Sequence, residues 1–268
     1  MKIGITCHPS AGGSGILATE LGIALATRGH QVHFTTYEPL FRLRNFHTNI
    51  VSHTVDQVTY PVFHSPPHTL ALTSKIAEVA EEVGIDIWHV HYAIPYAACA
   101  LLARQMLPEE HQFKIVTTLH GTDITLVGSD PSYHRMTTYT INQSDAVTAV
   151  SDWLNEETRQ TFPLTRPVRT IHNFWNQDRF NNSSSEDRCR LAPDNEKIVM
   201  HISNFRPVKR VTDVVRTFKR ILDHVPARLV RVGDGPERMS AVGVARQLGI
   251  TDRVHFLGTY ENIEGILP

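Results

Sequence analysis

Three stretches of the chain combine residue types that handle anions and hydroxyl groups. The first is Gly12-Gly13-Ser14-Gly15. Glycines let backbone amides approach an anion, and a helix opening there adds N–H donors and the positive end of its dipole. The same residues have a second reading: Gly13-x-Gly15-x-x-Ala18, with Glu38 further on, fits a dinucleotide fingerprint whose acid holds a ribose. A plain tight turn that packs strand on helix is the third. The next stretch is Thr117-Thr118-Leu119-His120-Gly121-Thr122-Asp123, where the glycine frees the His120 ring to stand in a cleft, unless the histidine only caps a turn. The last is Ser203-Asn204-Phe205-Arg206-Pro207-Val208-Lys209-Arg210. Arg206 offers a planar fork and Lys209 a point charge, a pair that can neutralise a diphosphate; a solvated basic turn is the alternative. Gly233-Asp234-Gly235-Pro236-Glu237 is a generic turn by itself, but it follows the next strand at the same edge. In His89-Val90-His91-Tyr92 the two rings are read as pointing to opposite faces of a strand. That counts against a two-histidine metal site and leaves Tyr92 as a cleft residue.

The elements that position these stretches alternate regularly. Strands are expected at residues 2–6, 31–36, 85–91, 114–119, 146–150 and 168–172. Leu17, Leu21, Ala24 and Leu25 share a helical face before Gly29, where a helix stop belongs. Ile76, Val79, Ala80 and Val83 mark another helix, and Pro95 is placed near the first turn of the one after the third strand. Such alternation implies an α/β fold, a mostly parallel sheet with helices on both faces. The run Asn181 to Asp187 is polar and aperiodic, and reads as surface linker. The rhythm then restarts with strands at 197–203, 227–232 and 254–257, and with a helix whose apolar face carries Val211, Val215 and Phe218. The expected organisation is a domain over 1–172, a linker over 173–195 and a second, partial domain over 196–268. A doubly wound sheet has more strands than this second half supplies. Its open edge is expected to leave it loosely packed, aggregation-prone or paired as a homo-oligomer.

Bulk composition narrows the function classes. The 268 residues carry a net charge of −1, with 41% hydrophobic and 20% charged residues, so no general attraction to nucleic acid or an anionic membrane is expected. Sixteen histidines are scattered along the chain. The odd set Cys7, Cys99 and Cys189 contains no CxxC pair and fits a reduced, cytoplasmic interior. The chain runs straight into a strand at Lys2, which argues against a signal peptide or membrane anchor.

Taken together, Gly12 to Gly15, the HGTD at 120–123, the SNFRPVKR at 203–210, Gly233 to Glu237 and Phe256-Leu257-Gly258 resemble the retaining GT-B glycosyltransferases. That family has two Rossmann-like domains. The stretches His89 to Pro95, Thr117 to Ile124, Phe41-Arg42-Leu43 and Gly128-Ser129-Asp130-Pro131 are similar to its branch that makes GlcNAc-malate, the first step of bacillithiol synthesis. The resemblance covers nearly the whole chain. It implies transfer of GlcNAc from UDP-GlcNAc to the hydroxyl of L-malate, with no cofactor and no essential metal. By position it implies Gly13, Arg206 and Lys209 at the diphosphate and His120 as the catalytic residue beside the transferred sugar. It further implies Ser14, Tyr92, Thr118 and Asn173 near the acceptor, and Gly233 and Gly258 near the nucleotide. Two carboxylates on malate ask for a cation, for which Arg42 is a speculative candidate. The family also carries two glutamates seven residues apart later in its second domain. Glu261 and Glu264 do not match that spacing, so the chain by itself is expected to be a poor catalyst. The rivals are a related glycosyltransferase with another acceptor, a nicotinamide-dependent oxidoreductase and a non-catalytic binding module, and the cationic loop counts against the oxidoreductase.

Overall fold

A computed structural model describes residues 1–10, 12–43, 46–56, 67–177, 190–193, 196–260 and 263–267. Ala11, Cys189, Glu261 and the polar run 181–187 lie outside the described residues. The chain divides into two compact units, Met1–Phe174 and Trp175–Pro268.

The first unit runs β1 (Lys2–Thr6), α1 (Gly13–Thr27), β2 (Gln31–Thr36), β3 (Ile50–Thr54), α2 (His68–Val83) and β4 (Ile87–His91). It continues with α3 (Ala98–Met106), β5 (Lys114–Leu119), the single turn α4 (Thr122–Thr125), α5 (Pro131–Gln143), β6 (Ala146–Ala149), α6 (Asp152–Thr161) and β7 (Val168–Thr170). All pairings are parallel, in the order β3-β2-β1-β4-β5-β6-β7. The order reverses between β1 and β4, which opens a crevice at the carboxyl ends of those strands where ligands of such sheets bind. Packing explains the details. A Cβ on Gly4 would lie 2.6 Å from the Trp88 ring, so β1 is flat there to admit the buried indole. That indole donates to the Thr6 hydroxyl at 2.9 Å. Leu72, Ile76 and Val79 of α2 bury against Trp88 and Val90, while Ile5, Ala18 and Phe34 fill the side under α1.

The second unit contains β8 (Lys197–Ile202), α7 (Val211–Leu222), β9 (Ala227–Val232), α8 (Arg238–Gln247) and β10 (Val254–Gly258). Its sheet, among the described residues, is a parallel three-stranded one ordered β10-β9-β8. Phe205, Val211, Val215 and Phe218 form its core with Leu229 and Ala241.

One element was missed in the sequence. β3 has no counterpart in the sequence reading, because its burial is mixed and its residues include Ser52, His53 and Thr54. An edge strand of that kind has neither an apolar run nor a clear alternation. Pro95 stands as expected near the start of the helix: Ile94 before it is extended, with φ −131° and ψ 140°, and helical backbone runs from Pro95 through Ala97 into α3.

Candidate active site

At the carboxyl edge of the first sheet, α1 begins directly after the loop from β1. Its N-cap Gly12 is extended, with φ −88° and ψ 156°, and makes no side-chain cap. The first-turn amides of a helix have no intrahelical partner, so they face outward as donors. The glycines divide the labour. A Cβ on Gly15 would lie 2.2 Å from the His8 carbonyl oxygen, so this glycine is required by packing. A Cβ on Gly13 would meet nothing within 4 Å. Gly13 therefore leaves open space in front of the amides that packing alone does not ask for.

Tyr92 joins this helix start to the next loop. Its hydroxyl donates to Ser14 Oγ at 2.9 Å, and its backbone N–H donates to the Thr118 carbonyl at 2.9 Å. It holds φ at 89°, a conformation that L side chains disfavour and that clusters at functional sites. Beside it stands His120, with ring centroids 5.1 Å apart. The His120 loop is fixed by Asp123, a residue that the sequence reading left without a role. One carboxylate oxygen accepts the amides of His120 at 3.1 Å and Gly121 at 3.0 Å, and the other accepts Ala93 N–H at 3.0 Å. Asp123 is 2% exposed, and burial raises its carboxyl above the usual range while the three amides pull it back. An Asp three residues after a loop-opening His is the signal that was available.

Behind His120 lies a row of imidazoles, which corrects the expectation that His89 and His91 point to opposite faces. Residues two apart in a strand share a face. The rings stack with centroids 4.7 Å apart, and His91 stacks on His120 at 5.1 Å. His91 Nδ1 lies 2.8 Å from His120 Nε2, and His89 Nε2 lies 2.7 Å from the Thr118 hydroxyl. Burial pushes His89 and His120 down to about 4 and His91 well below its ordinary value, so all three are neutral at neutral pH. Thr118 continues the row to Thr148 at 2.8 Å. Thr118 and the exposed Asn173 line a largely apolar cavity of about 310 Å³ with His89 and His91. Arg42, the speculative cation, is engaged by Glu20 at 3.1 Å.

In the second unit the strand-end loops are knit together. Phe205 N–H donates to the Asp234 carbonyl at 2.8 Å, and Glu237 N–H to the Phe205 carbonyl at 2.9 Å. Gly233 N–H donates to the Gly258 carbonyl at 2.7 Å. Gly233 has φ 120°, and a Cβ there would lie 1.8 Å from the Ser203 carbonyl, so glycine is obligatory. Arg206 and Lys209 are both exposed and make no ion pair among the described residues, whereas Arg210 is held by Asp213 at 2.8 Å. The two cations of the loop that pair with no described residue are the two assigned to a diphosphate from the sequence. No group of three His, Cys, Asp or Glu positioned to hold a metal occurs among the described residues. Nor is any described helix long and apolar enough to cross a membrane.

Comparison with known proteins gives this geometry a context. The model of Glycosyltransferase Family 4 matches residues 11–179, and that of Glycosyl transferases group 1 matches residues 183–266. The chain is similar to the N-acetyl-alpha-D-glucosaminyl L-malate synthase of Bacillus anthracis, 49% identical over 272 residues that span all of this chain and 70% of that protein. An uncharacterised glycosyltransferase of Methanocaldococcus jannaschii is 28% identical over 92% of this chain and 65% of its own length. Among solved structures, Anabaena HepE in complex with UDP and glucose superposes with a TM-score of 0.75 at 17% identity, covering 98% of this chain and 71% of that one. The sucrose-phosphate synthase of Thermosynechococcus elongatus gives 0.74 at 19% identity, over 98% and 72%. At such identities these structures speak for the GT-B fold alone. The edge clusters of both sheets and the match across residues 11–179 lead to one conclusion: the chain belongs to glycosyltransferase family 4.

Proposed function

We propose that this glycosyltransferase moves GlcNAc from UDP-GlcNAc to the hydroxyl of L-malate with retention of configuration, in the cytoplasm. The bond between the sugar C1 and the UDP oxygen breaks, and UDP leaves with the electron pair. The malate hydroxyl oxygen bonds to C1 and its proton is released. The substrates come from the similarity to the Bacillus anthracis synthase. The observation that carries the reading is the pair of exposed cations, Arg206 and Lys209, without an ion pair among the described residues, on a loop fixed to the Gly233 and Gly258 turns. Charge that develops on the departing diphosphate needs preorganised donors and cations. Arg206 and Lys209 are assigned to the diphosphate as its cations, and the family resemblance assigns Gly13 to it as well. Gly233 and Gly258 are assigned to the nucleotide. His120 stands beside the transferred sugar. Ser14 and Tyr92, already hydrogen-bonded to each other, face the acceptor, with Thr118 and Asn173 completing that side.

The test is direct. The chain is incubated with UDP-GlcNAc and L-malate beside the Bacillus anthracis relative, and products are identified by mass. GlcNAc-malate formed by both, far more slowly by this chain than by the relative, and none with succinate, which lacks the hydroxyl, is the expected result. Transfer to a different hydroxy compound with L-malate inert, or UDP release with no acceptor dependence, sinks the assignment.

A further inference from the structure

We propose that His91 is a positioning residue that fixes the tautomer of His120, so that His120 presents an N–H rather than a bare nitrogen at Nδ1. The inference rests on the reading of His120 as the residue beside the transferred sugar.

The geometry is that of a hydrogen-bonded imidazole pair, with His91 buried and His120 partly so. His91 Nδ1 and His120 Nε2 are 2.8 Å apart, and both rings are neutral, so a single proton lies between them. Two arrangements satisfy that bond. In the first, His91 carries its proton on Nδ1 and donates to His120, whose own proton must then sit on Nδ1. In the second, His120 donates from Nε2, and the proton of His91 must sit on Nε2. The far side of His91 decides between them. Its Nε2 is buried, with no hydrogen-bond partner among the described residues, and the residue is 1% exposed. His89 cannot serve it, because the stacked His89 ring turns its own Nε2 to Thr118. The second arrangement would bury an N–H without an acceptor, which native structures almost never do. The first buries only a lone pair, the smaller loss. The proton between the rings therefore belongs to His91, and the Nδ1 of His120 is a donor.

This gives the buried His91 of β4 a use. A neutral imidazole free in water prefers its proton on Nε2, the form that would leave a bare, basic Nδ1 at the site. His91 reverses that preference through one bond from below. In the proposed reaction His120 then hydrogen-bonds a sugar hydroxyl as donor and takes no proton from it at that nitrogen.

The experiment is nitrogen-15 NMR of histidine-labelled chain, which reports the protonated nitrogen of each ring, with two variants at position 91. Wild type is expected to show His120 protonated on Nδ1. In His91→Asn the amide N–H₂ replaces the donor, and the His120 tautomer is expected to stay. In His91→Leu the donor is lost, and His120 is expected to move its proton to Nε2. In the transferase assay kcat of His91→Leu should fall at least about tenfold, the worth of one buried hydrogen bond. The KM for UDP-GlcNAc should move little, and His91→Asn should restore most of the rate. Wild-type His120 protonated on Nε2 overturns the proposal, as does a His120 tautomer unchanged by His91→Leu. If His91→Leu does not fold, the wild-type and His91→Asn spectra decide alone. If no protein transfers GlcNAc to malate, the proposed function falls while the tautomer result stands, so the two failures are told apart.

Discussion

Replacing Arg231 by leucine should stabilise the second unit by about 2 kcal/mol. The Arg231 side chain is fully buried in the middle strand of its sheet. Nη1 donates to the Val211 carbonyl at 2.9 Å, while Nε and Nη2 are buried without a partner among the described residues. The guanidinium lies 4.7 Å from the Phe205 ring centre and 5.7 Å from that of Phe256. Burial pushes its pKa from 12.5 down to about 10, a cost of about 3 kcal/mol to the folded state. The charged hydrogen bond returns about 1.5–3 kcal/mol and the aromatic faces about 1 kcal/mol, so the arginine itself is close to neutral. Leucine makes no such demands, and burying it contributes about 2 kcal/mol. The Val211 carbonyl is not orphaned, because it opens α7 and keeps its bond within the helix. The arginine is charged in folded and unfolded chain alike, so the gain should be constant from pH 6 to 9. Hydrogen exchange read by mass spectrometry on peptides from β9 and β10 isolates this unit. A gain of about 2 kcal/mol slows exchange roughly thirtyfold where opening is global to the unit. Faster exchange in Arg231→Leu than in wild type would refute the reasoning and mean that the guanidinium has an acceptor worth more than its burial costs.

Other outcomes follow from the site. Arg206→Ala and Lys209→Ala should each lower kcat/KM for UDP-GlcNAc by about 1.5–3 kcal/mol, the worth of a charge-assisted contact, and near-normal turnover in both would remove them from the donor site. Gly13→Ala should leave the melting temperature unchanged or slightly raised, since its Cβ meets nothing, yet impair UDP-GlcNAc use; Gly15→Ala should destabilise the first unit, and equal effects of the two would contradict the assigned division. Acid should destabilise the first unit. His89 and His120 titrate near 4 when folded and near 6.5 when unfolded, so the unfolded chain binds more protons and stability falls from about pH 6.5 toward 4. A urea midpoint for this unit that stays flat across that window would contradict the neutral imidazole row. Transfer activity should survive EDTA, and loss with chelator that magnesium or manganese restores would refute this.

Much of the molecule was written in local sequence. Largely apolar runs such as Lys2 to Thr6 gave their strands because a strand buried on both faces is mostly apolar, and period and length are local properties. The edge strand β3 was not legible, since exposure lets its residues be polar. The cations Arg206 and Lys209 and the glycine opening of α1 could be picked out by type and spacing. Which of them are free was decided only in three dimensions: Asp213 holds Arg210, Glu20 holds Arg42, and no described residue pairs with Arg206 or Lys209. The histidines show the same division. Residue spacing puts His89 and His91 on one face, a consequence of strand geometry missed in the reading. That His91 meets His120 across β4 and β5, with its other nitrogen sealed, depends on strand register and on the Asp123 clamp. Such pairings join residues about thirty apart in sequence, and only tertiary packing chooses them.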